Sequence, residues 1–398
     1  MVGYGVRCHY RRIVIRGKEN IPWGEHFIFA PCHQNALMDA LLILQITRNK
    51  VVFLARADIF QKPVTRFFLT WLRISPVYRI RDGRDKLSRN EAIFQTSREV
   101  IESGVPLCLM AEGRHNDRHQ LLPLVKGMFR IAGSAQKELG EKPLYIVPVG
   151  LDYDHYESLY HNVCVNIGKP IDVSSFMEEF EANEPVALNQ MRAALTTNLK
   201  AQMHHVVSIE HYEEEYAYCH LRTQETLRKH KLPNNAWGRF MARKQVSEEL
   251  SNLTEEQLEP IYAQGAAFAD ECHRKGVPLW FASKGWTAGK SVAAFAAVLL
   301  TLAGISFIWK YWILSNLVVF LPTHLIVRHV IKDTQFRSSV NYGIRLILQF
   351  LNAIIMFVIF TCTHNVLWGV GMVVLCMLSA HVTPRLFVLL RDVWYGLK

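Results

Sequence analysis

The sequence predicts an α/β domain with a mixed sheet flanked by helices, then a mostly helical region and a C-terminal transmembrane helical region. Short apolar runs rich in β-branched residues alternate with helical runs over about residues 10–170, as in α/β folds. Half of the 398 residues are hydrophobic and the net charge is +10. From residue 288 onward, nine Lys and Arg oppose two Asp and Glu among long apolar stretches. We therefore expect domains at 1–172, 173–287 and 288–398.

The elements of the first domain follow from hydrophobic periodicity and from Gly and Pro breaks. Strands are predicted at 10–16, 26–30, 51–55, 106–111 and 144–150, and helices at 35–44, 63–72 and 127–139. The second region is rich in Glu, Gln, Arg, Leu and Ala and contains no catalytic motif. Its charges are expected to lie on solvated helix faces.

The C-terminal region contains four apolar stretches of 15–18 residues, at 292–309, 311–327, 346–362 and 366–380. A helix needs roughly 20 residues to cross hydrocarbon, so single stretches are marginal. Two hairpins, giving about four transmembrane or hairpin helices, fit better, with buried helices of a soluble domain as the alternative.

The flanking cations predict the orientation of this region. If the chain crosses the membrane four times, all the clusters of Lys and Arg except Lys310 lie on the same side of the membrane. The positive-inside rule assigns that side to the cytoplasm. Eight scattered cysteines and the lack of a visible secretory signal also favour a reducing compartment. We expect an integral membrane protein of the bacterial inner membrane with its N-terminal domain in the cytoplasm. The excess charge gives no support to a nucleic-acid partner.

A histidine and a carboxylate form the sharpest local feature. His33 follows a predicted strand, and Asp39 lies six positions later in an apolar helix. Six helical steps turn about 600°, so the two residues would not share a helix face. His33 must therefore precede the helix and fold back, which gives a general base with an orienting acid. A purely structural pair is the alternative.

A strand ending in Glu112-Gly113 runs into a loop dense in cations. Arg114 follows directly, and Lys126 begins the next helix. Glycine permits close backbone approach and arginine grips phosphate, so an anion site is predicted, with a solvated loop as the alternative. Four residues with mixed spacing could also suggest a metal, but we predict none. They are Glu112, His115, Asp117 and His119.

Two further segments complete the pattern. Arg79 and Arg81 are two residues apart after a short strand and would share its face, which suits phosphate. Pro148 interrupts the strand at 146–152, which is typical of an edge strand or of a strand end lining a cleft.

In this order the four blocks resemble the phospholipid and glycerol acyltransferase (PlsC-type) family. That family has a His-x4-Asp motif, an arginine block, a Phe-Pro-Glu-Gly-Thr block and a Val-Pro block. Here His33 and Asp39, Arg79, Glu112-Gly113 and Val147-Pro148 stand at comparable separations. The five-residue gap after His33 looks most like the glycerol-3-phosphate and dihydroxyacetone-phosphate acyltransferase branch.

The resemblance implies roles for the residues. His33 would take the proton from the acceptor hydroxyl while Asp39 holds its tautomer. Substrate contacts would come from Arg79, Arg81, Glu112, Gly113, Arg114, Lys126 and Pro148. No cofactor is implied, because the co-substrate, acyl-CoA or acyl-carrier protein, is already an activated thioester. The expected partners are that donor, a phosphorylated glycerol-type acceptor and the lipid bilayer.

The predicted function is a membrane-bound O-acyltransferase of phospholipid biosynthesis, acting on glycerol 3-phosphate or dihydroxyacetone phosphate. Acylation of 1-acylglycerol 3-phosphate or another lysophospholipid is the alternative within the enzyme class. A non-catalytic lipid-binding or transport protein is the alternative of another class, although few charges lie inside the apolar stretches.

Overall fold

A computed structural model describes most of the chain. The described residues are 2–47, 51–56, 60–61, 63, 66–67, 70, 74–77, 87–156 and 159–398. They form two compact units. The first comprises residues 15–152 and 164–203, and the second comprises 1–14, 153–163 and 204–398. The predicted boundaries at 172 and 287 stay predictions.

The sheet contains eight strands among the described residues. They are β1 (Arg12–Arg16), β2 (His26–Pro31), β3 (Val52–Arg56), β4 (Ile74–Val77), β5 (Leu107–Cys108), β6 (Leu144–Tyr153), β7 (Asn162–Ile167) and β8 (Ile171–Asp172). The order is β1-β7-β6-β2-β5-β3-β4, and β8 pairs with β6.

The α-helices divide between the two units. They are α1 (Val2–His9), α2 (Ala36–Thr47), α3 (Leu87–Glu102), α4 (Lys126–Leu139), α5 (Met177–Ala182), α6 (Glu184–Gln202), α7 (Tyr212–Lys229), α8 (Ala236–Leu250), α9 (Glu255–Lys275), α10 (Leu279–Ala282), α11 (Ala288–Ile305), α12 (Trp309–His329), α13 (Thr334–Thr363) and α14 (Val366–Gly396). Helices α2 to α6 belong to the first unit.

The sheet is mixed, as predicted. Strand β2 runs parallel to both neighbours, with Ile28 opposite Leu107 of β5 and Ile146 of β6. Strand β8 is antiparallel to β6. Parallel neighbours place the carboxyl ends of β2 and β5 at one edge, so the loops after these strands can meet there.

The core of the first unit lies between the sheet and the helices. Ile28, Leu107 and Ile146 are fully buried and belong to one cluster with Phe129 of α4 and Met191 of α6. Such buried apolar side chains are the main favourable contribution to folding. The α/β architecture predicted from the alternating pattern is confirmed.

Two details of this unit differ from the sequence analysis. Strand β5 ends at Cys108, so the loop begins before Glu112. Strand β6 lies between β7 and β2, so the interpretation of an edge strand was wrong. Pro148 is tolerated inside the sheet, where its carbonyl accepts the Gly168 N–H at 2.9 Å. The helix predicted at 63–72 falls largely outside the described residues.

The second unit contains the polar helices α7 to α10. Helices α7 and α9 approach closely at Gly265, where a Cβ atom would lie 2.0 Å from the Glu214 carbonyl oxygen. Cys219 of α7 packs against Val246 and Leu250 of α8. The predicted helical region is therefore confirmed.

The C-terminal helices carry large apolar surfaces. Three stretches of described residues, 288–313, 334–363 and 366–396, are long and apolar enough to cross a membrane. His364 and Asn365 separate α13 from α14, as predicted, and residues 306–308 separate α11 from α12. These helices are compatible with membrane association, and four crossings stay a prediction.

Candidate active site

The predicted pair of His33 and Asp39 is formed. His33 Nδ1 lies 2.8 Å from Asp39 Oδ2. The Asp39 side chain is fully buried, whereas the His33 side chain keeps 15% of its surface exposed. The pairing assigns the proton to Nδ1, which donates to the carboxylate. It leaves Nε2 to accept a proton.

The geometry depends on the turn between β2 and α2. The backbone N–H groups of Gln34 and Asn35 also donate to Asp39 Oδ2, at 2.9 and 2.8 Å. The first residue of α2, Ala36, has the left-handed value φ = 44°, which is unfavourable for a non-glycine residue. The chain thus turns sharply before α2, and the six-position separation becomes a direct contact.

Glu112 anchors the His33 segment from the neighbouring loop. Its Oε1 accepts the backbone N–H of His33 at 2.6 Å, and its Oε2 accepts that of Leu122 at 2.8 Å. Glu112 is 4% exposed. Both oxygens therefore bind backbone groups, so the contacts shown are those of a positioning residue. Direct substrate binding by Glu112 stays a prediction.

The environment of Glu112 also changes its ionisation. Burial raises the pKa of Glu112 to about 8, with Asp39 adding to the rise. The two backbone N–H groups and Arg114 act in the opposite direction. The largest contribution to the raised pKa is the loss of hydration of the charged carboxylate, as expected for a carboxyl group inside a protein.

The loop after β5 contacts His33 at a second point. The Asn116 N–H donates to the His33 carbonyl at 2.9 Å, and the His115 and His33 ring centroids are 5.5 Å apart. The sequence analysis did not predict that His115 or Asn116 would contact His33. The sequence signal for these contacts was that both residues follow Glu112 closely in the same loop.

Cys32 precedes His33 and is fully buried. Its sulfur accepts the Leu151 N–H at 3.1 Å, and its own N–H donates to the Val149 carbonyl at 3.0 Å. Burial raises the pKa of the Cys32 thiol well above its usual value. The thiol therefore stays neutral and joins the His33 loop to β6, which argues against a nucleophilic role.

The predicted cations fall into two groups. Arg114 and Lys126 are exposed, and within the described residues neither forms an ion pair. Val125, next to Lys126, donates its N–H to the Ala111 carbonyl at 2.7 Å. A Cβ at Gly113 would lie 3.2 Å from Val125 Cγ1, so both cations flank Glu112-Gly113. Arg79 and Arg81 lie outside the described residues.

The remaining predicted residues have other surroundings. Pro148 is buried, and its ring would lie 2.9 Å from a Cβ at Gly168. Its place in a substrate pocket stays a prediction. His119 Nδ1 lies 3.2 Å from Asp152 Oδ1, and both side chains are buried. Asp152 was not among the four residues that the sequence analysis considered as a possible metal site.

Comparisons with known proteins found one family model and a solved structure that are similar to part of the chain. Residues 12–152 match the family model described as Acyltransferase. A solved structure of a 1-acyl-sn-glycerophosphate (LPA) acyltransferase, PlsC, from Thermotoga maritima is similar to half of this chain and 75% of that one. Its sequence identity is 21% and its TM-score is 0.37. No curated protein sequence matches the chain. The residues that the family model matches include His33, Asp39 and Glu112.

Proposed function

We propose that the chain is a membrane-bound O-acyltransferase that esterifies glycerol 3-phosphate or dihydroxyacetone phosphate. The observation that carries the proposal is the His33–Asp39 pair, with a buried carboxylate on Nδ1 and a partly accessible ring. This arrangement suits a general base that activates a hydroxyl group. The family match over residues 12–152 supports an acyl donor and a lipid-type acceptor.

The reaction transfers the acyl group from a thioester to a hydroxyl group and yields an oxygen ester and a thiol. His33 Nε2 takes the proton of the acceptor hydroxyl while that oxygen attacks the thioester carbonyl carbon. The C–O bond forms, the C–S bond breaks, and the sulfur leaves as a thiol with the proton that His33 returns. Asp39 stabilises the imidazolium between these steps. No cofactor is required in this scheme, because the thioester is already activated.

The acceptor phosphate would be bound by cations near the base. Arg114 and Lys126 are exposed and form no ion pair among the residues whose placement is known. Arg79 and Arg81 are proposed from the motif order alone. Arginine donates two hydrogen bonds to a phosphate group, and lysine attracts it as a point charge. Replacing any of these four residues with alanine is therefore expected to raise KM for the acceptor.

The C-terminal helices suggest why this chemistry would be performed at a bilayer. Acyl chains and lipid products partition into the membrane, whereas the phosphate acceptor and the free thiol are water-soluble. Long apolar helices are compatible with such a location. The cytoplasmic face of the bacterial inner membrane remains the proposed site of the catalytic domain.

The test is an acyl-transfer assay on the full chain in detergent. Acyl-CoA and acyl-carrier protein are offered with glycerol 3-phosphate, dihydroxyacetone phosphate, 1-acylglycerol 3-phosphate and a choline lysophospholipid. We expect transfer to one of the first two acceptors and a loss of about 10²- to 10⁴-fold in His33→Ala, the usual contribution of a general base. His230→Ala, at an exposed histidine, is the matched control.

Each other outcome has a defined meaning. Preferred transfer to 1-acylglycerol 3-phosphate would replace the proposed acceptor with a lysolipid. Absence of transfer to every acceptor, or full activity in His33→Ala, would contradict the enzymatic proposal. That result would favour a lipid-binding or transport protein.

A further inference from the structure

A cavity in the second unit contains a buried arginine. The cavity has a volume of about 470 Å³ and lies between α1, α13 and α14. Arg345 of α13 lines it and is 8% exposed. Arg345 is one of the nine Lys and Arg residues from residue 288 onward. The structure places it inside the helix bundle.

The guanidinium group of Arg345 has no hydrogen-bond acceptor among the described residues. Its Nε is buried without a partner, and no described carboxylate lies within ion-pair distance. Its Cζ lies 4.5 Å from the centre of the Phe320 ring. A buried charge without an ionic partner is costly in a protein interior and more so in lipid.

The other polar groups that line the cavity already have partners. The Tyr342 hydroxyl donates to the Val2 carbonyl at 3.1 Å, and the Tyr4 hydroxyl donates to the Met377 carbonyl. Gln349 donates to the Cys376 carbonyl at 2.6 Å. Arg345 is therefore the donor that is available to an occupant.

The charge of the cavity is positive at neutral pH. Among its described lining residues there is no Asp or Glu. Burial lowers the pKa of His9 to about 3, so this histidine is neutral. Its Nε2 pairs with Ser338 Oγ at 3.0 Å. Arg345 thus contributes the positive charge, and an anion would complement it.

The rest of the cavity is apolar and opens towards the side of the helices. Phe350, Ile354 and Met377 line it and are 53%, 45% and 47% exposed. Lining residues extend from Arg345 to Phe357, which is about 18 Å along α13 at 1.5 Å per residue. An acyl chain fits this length and chemistry.

The position of Arg345 along α13 suits a lipid head group. The helix has 30 residues, whereas about 20 residues span a hydrocarbon core of about 30 Å. If the last twenty residues of α13 fill that core, Arg345 lies at its boundary. Phospholipid phosphates are found at this depth.

We propose that this cavity is a binding site for a phospholipid with an anionic head group. One acyl chain lies along α13, and the phosphodiester receives hydrogen bonds from Arg345. The site is separate from the His33 region and does not depend on the proposed reaction. Phosphatidylglycerol is the appropriate probe, because it is neither substrate nor product of that reaction.

The experiment is native mass spectrometry of the full chain in neutral detergent. Phosphatidylglycerol and phosphatidylcholine with matched chains are supplied at equal concentration. We expect at least about tenfold preferential retention of phosphatidylglycerol, because its net negative charge complements Arg345, whereas the choline cation makes phosphatidylcholine neutral overall. Arg345→Met should reduce the preference below twofold. Arg337→Met, on the same helix but outside the cavity, should leave the preference unchanged.

Two further variants keep the proposal falsifiable if Arg345→Met fails to fold. Ala353→Phe fills the groove and should lower lipid retention while Arg345 is intact. His33→Ala should not affect retention. Equal retention of both lipids by the native chain, or unchanged preference in Arg345→Met, would overturn the proposal. Displacement of phosphatidylglycerol by inorganic phosphate would show a free-anion site and would also overturn it.

Discussion

Three N–H groups converge on one oxygen of Asp39, and this residue organises the site. One donor is the His33 ring, and two are the backbone groups of Gln34 and Asn35. A fully buried carboxylate with three donors has little freedom to move. The orientation of the His33 ring is thus fixed by the fold, which would reduce the entropic cost of the proposed catalysis.

Asp39→Asn is expected to remove activity while leaving acceptor binding in place. Asparagine keeps the shape but lacks the charge that stabilises the imidazolium. We expect kcat to fall roughly 10²- to 10⁴-fold with KM nearly unchanged. Steady-state kinetics measure this, with Asp270→Asn at an exposed residue as the control. A large KM increase at unchanged kcat would contradict the assigned role.

Glu112 is expected to make stability depend on pH. Its pKa of about 8 in the fold exceeds the ordinary value of 4.5. The stabilisation from its protonated form is therefore complete below about pH 4.5 and is lost as the pH rises through 8. Each unit of difference between the folded and unfolded pKa corresponds to about 1.4 kcal/mol in the free energy of unfolding.

The Glu112 prediction is measured as the difference in Tm between the native chain and Glu112→Gln. Between pH 5 and pH 9 the native chain should lose several degrees relative to the variant. Glu184→Gln, at an exposed glutamate, serves as the control and should show a constant difference. A constant difference for Glu112→Gln as well would contradict the prediction.

The sequence predicted the chemistry of the residues better than their contacts. The contact between His33 and Asp39 could be predicted, because helical geometry excluded the alternative of a shared face. The Glu112 hydrogen bonds to His33 and Leu122 could not. They depend on two loops meeting at one sheet edge, and a single sequence contains no signal for that meeting.

The entry into α4 offers a test at the level of an element. Gly113 has φ = 64°, and a Cβ there would lie 3.2 Å from Val125 Cγ1. Gly127 lies inside α4, with no described heavy atom within 4 Å of its virtual Cβ. Gly113→Ala should therefore cost about 1–2 kcal/mol. Gly127→Ala should stabilise the protein by about 0.5–1 kcal/mol.

Thermal unfolding of the two variants measures this pair of effects. Both substitutions add one methyl group, so each is the control for the other. A lower Tm for Gly113→Ala and a higher Tm for Gly127→Ala are expected. Equal shifts in one direction would show that backbone conformation does not decide the outcome.

Elements with strong periodicity were predictable, and elements fixed by neighbours were not. The apolar run at 35–44 predicted α2, and the run at 144–150 predicted β6. Strand β8 has two residues and exists through its pairing with β6. Pro148 favoured an edge position, but local propensity cannot show which strands lie on either side.

The distribution of charge predicts the orientation of the whole chain. With four crossings, the loop at His364-Asn365 faces away from the cytoplasm. Cys362 lies beside this loop and is exposed, whereas the other seven cysteines are buried. A membrane-impermeant maleimide should therefore label intact cells at Cys362, and Cys362→Ser should abolish the label. Labelling that requires cell lysis would reverse the predicted orientation.

At the scale of the molecule, the division into α/β, polar helical and apolar helical parts was predictable from composition. The assignment of residues 1–14 to the unit that contains the C-terminal helices was not. Composition characterises stretches of consecutive residues, whereas this assignment results from contacts between residues more than 300 positions apart.

Two of these distant contacts have a consequence for biosynthesis. Helix α1 is synthesised before α13, but its Val2 carbonyl and His9 ring bind Tyr342 and Ser338 of α13. At about 5–20 residues per second, roughly 20–70 s of translation separate α1 from these partners. During that time α1 cannot occupy its final position, so the cavity around Arg345 is completed only after α13 and α14 have been synthesised.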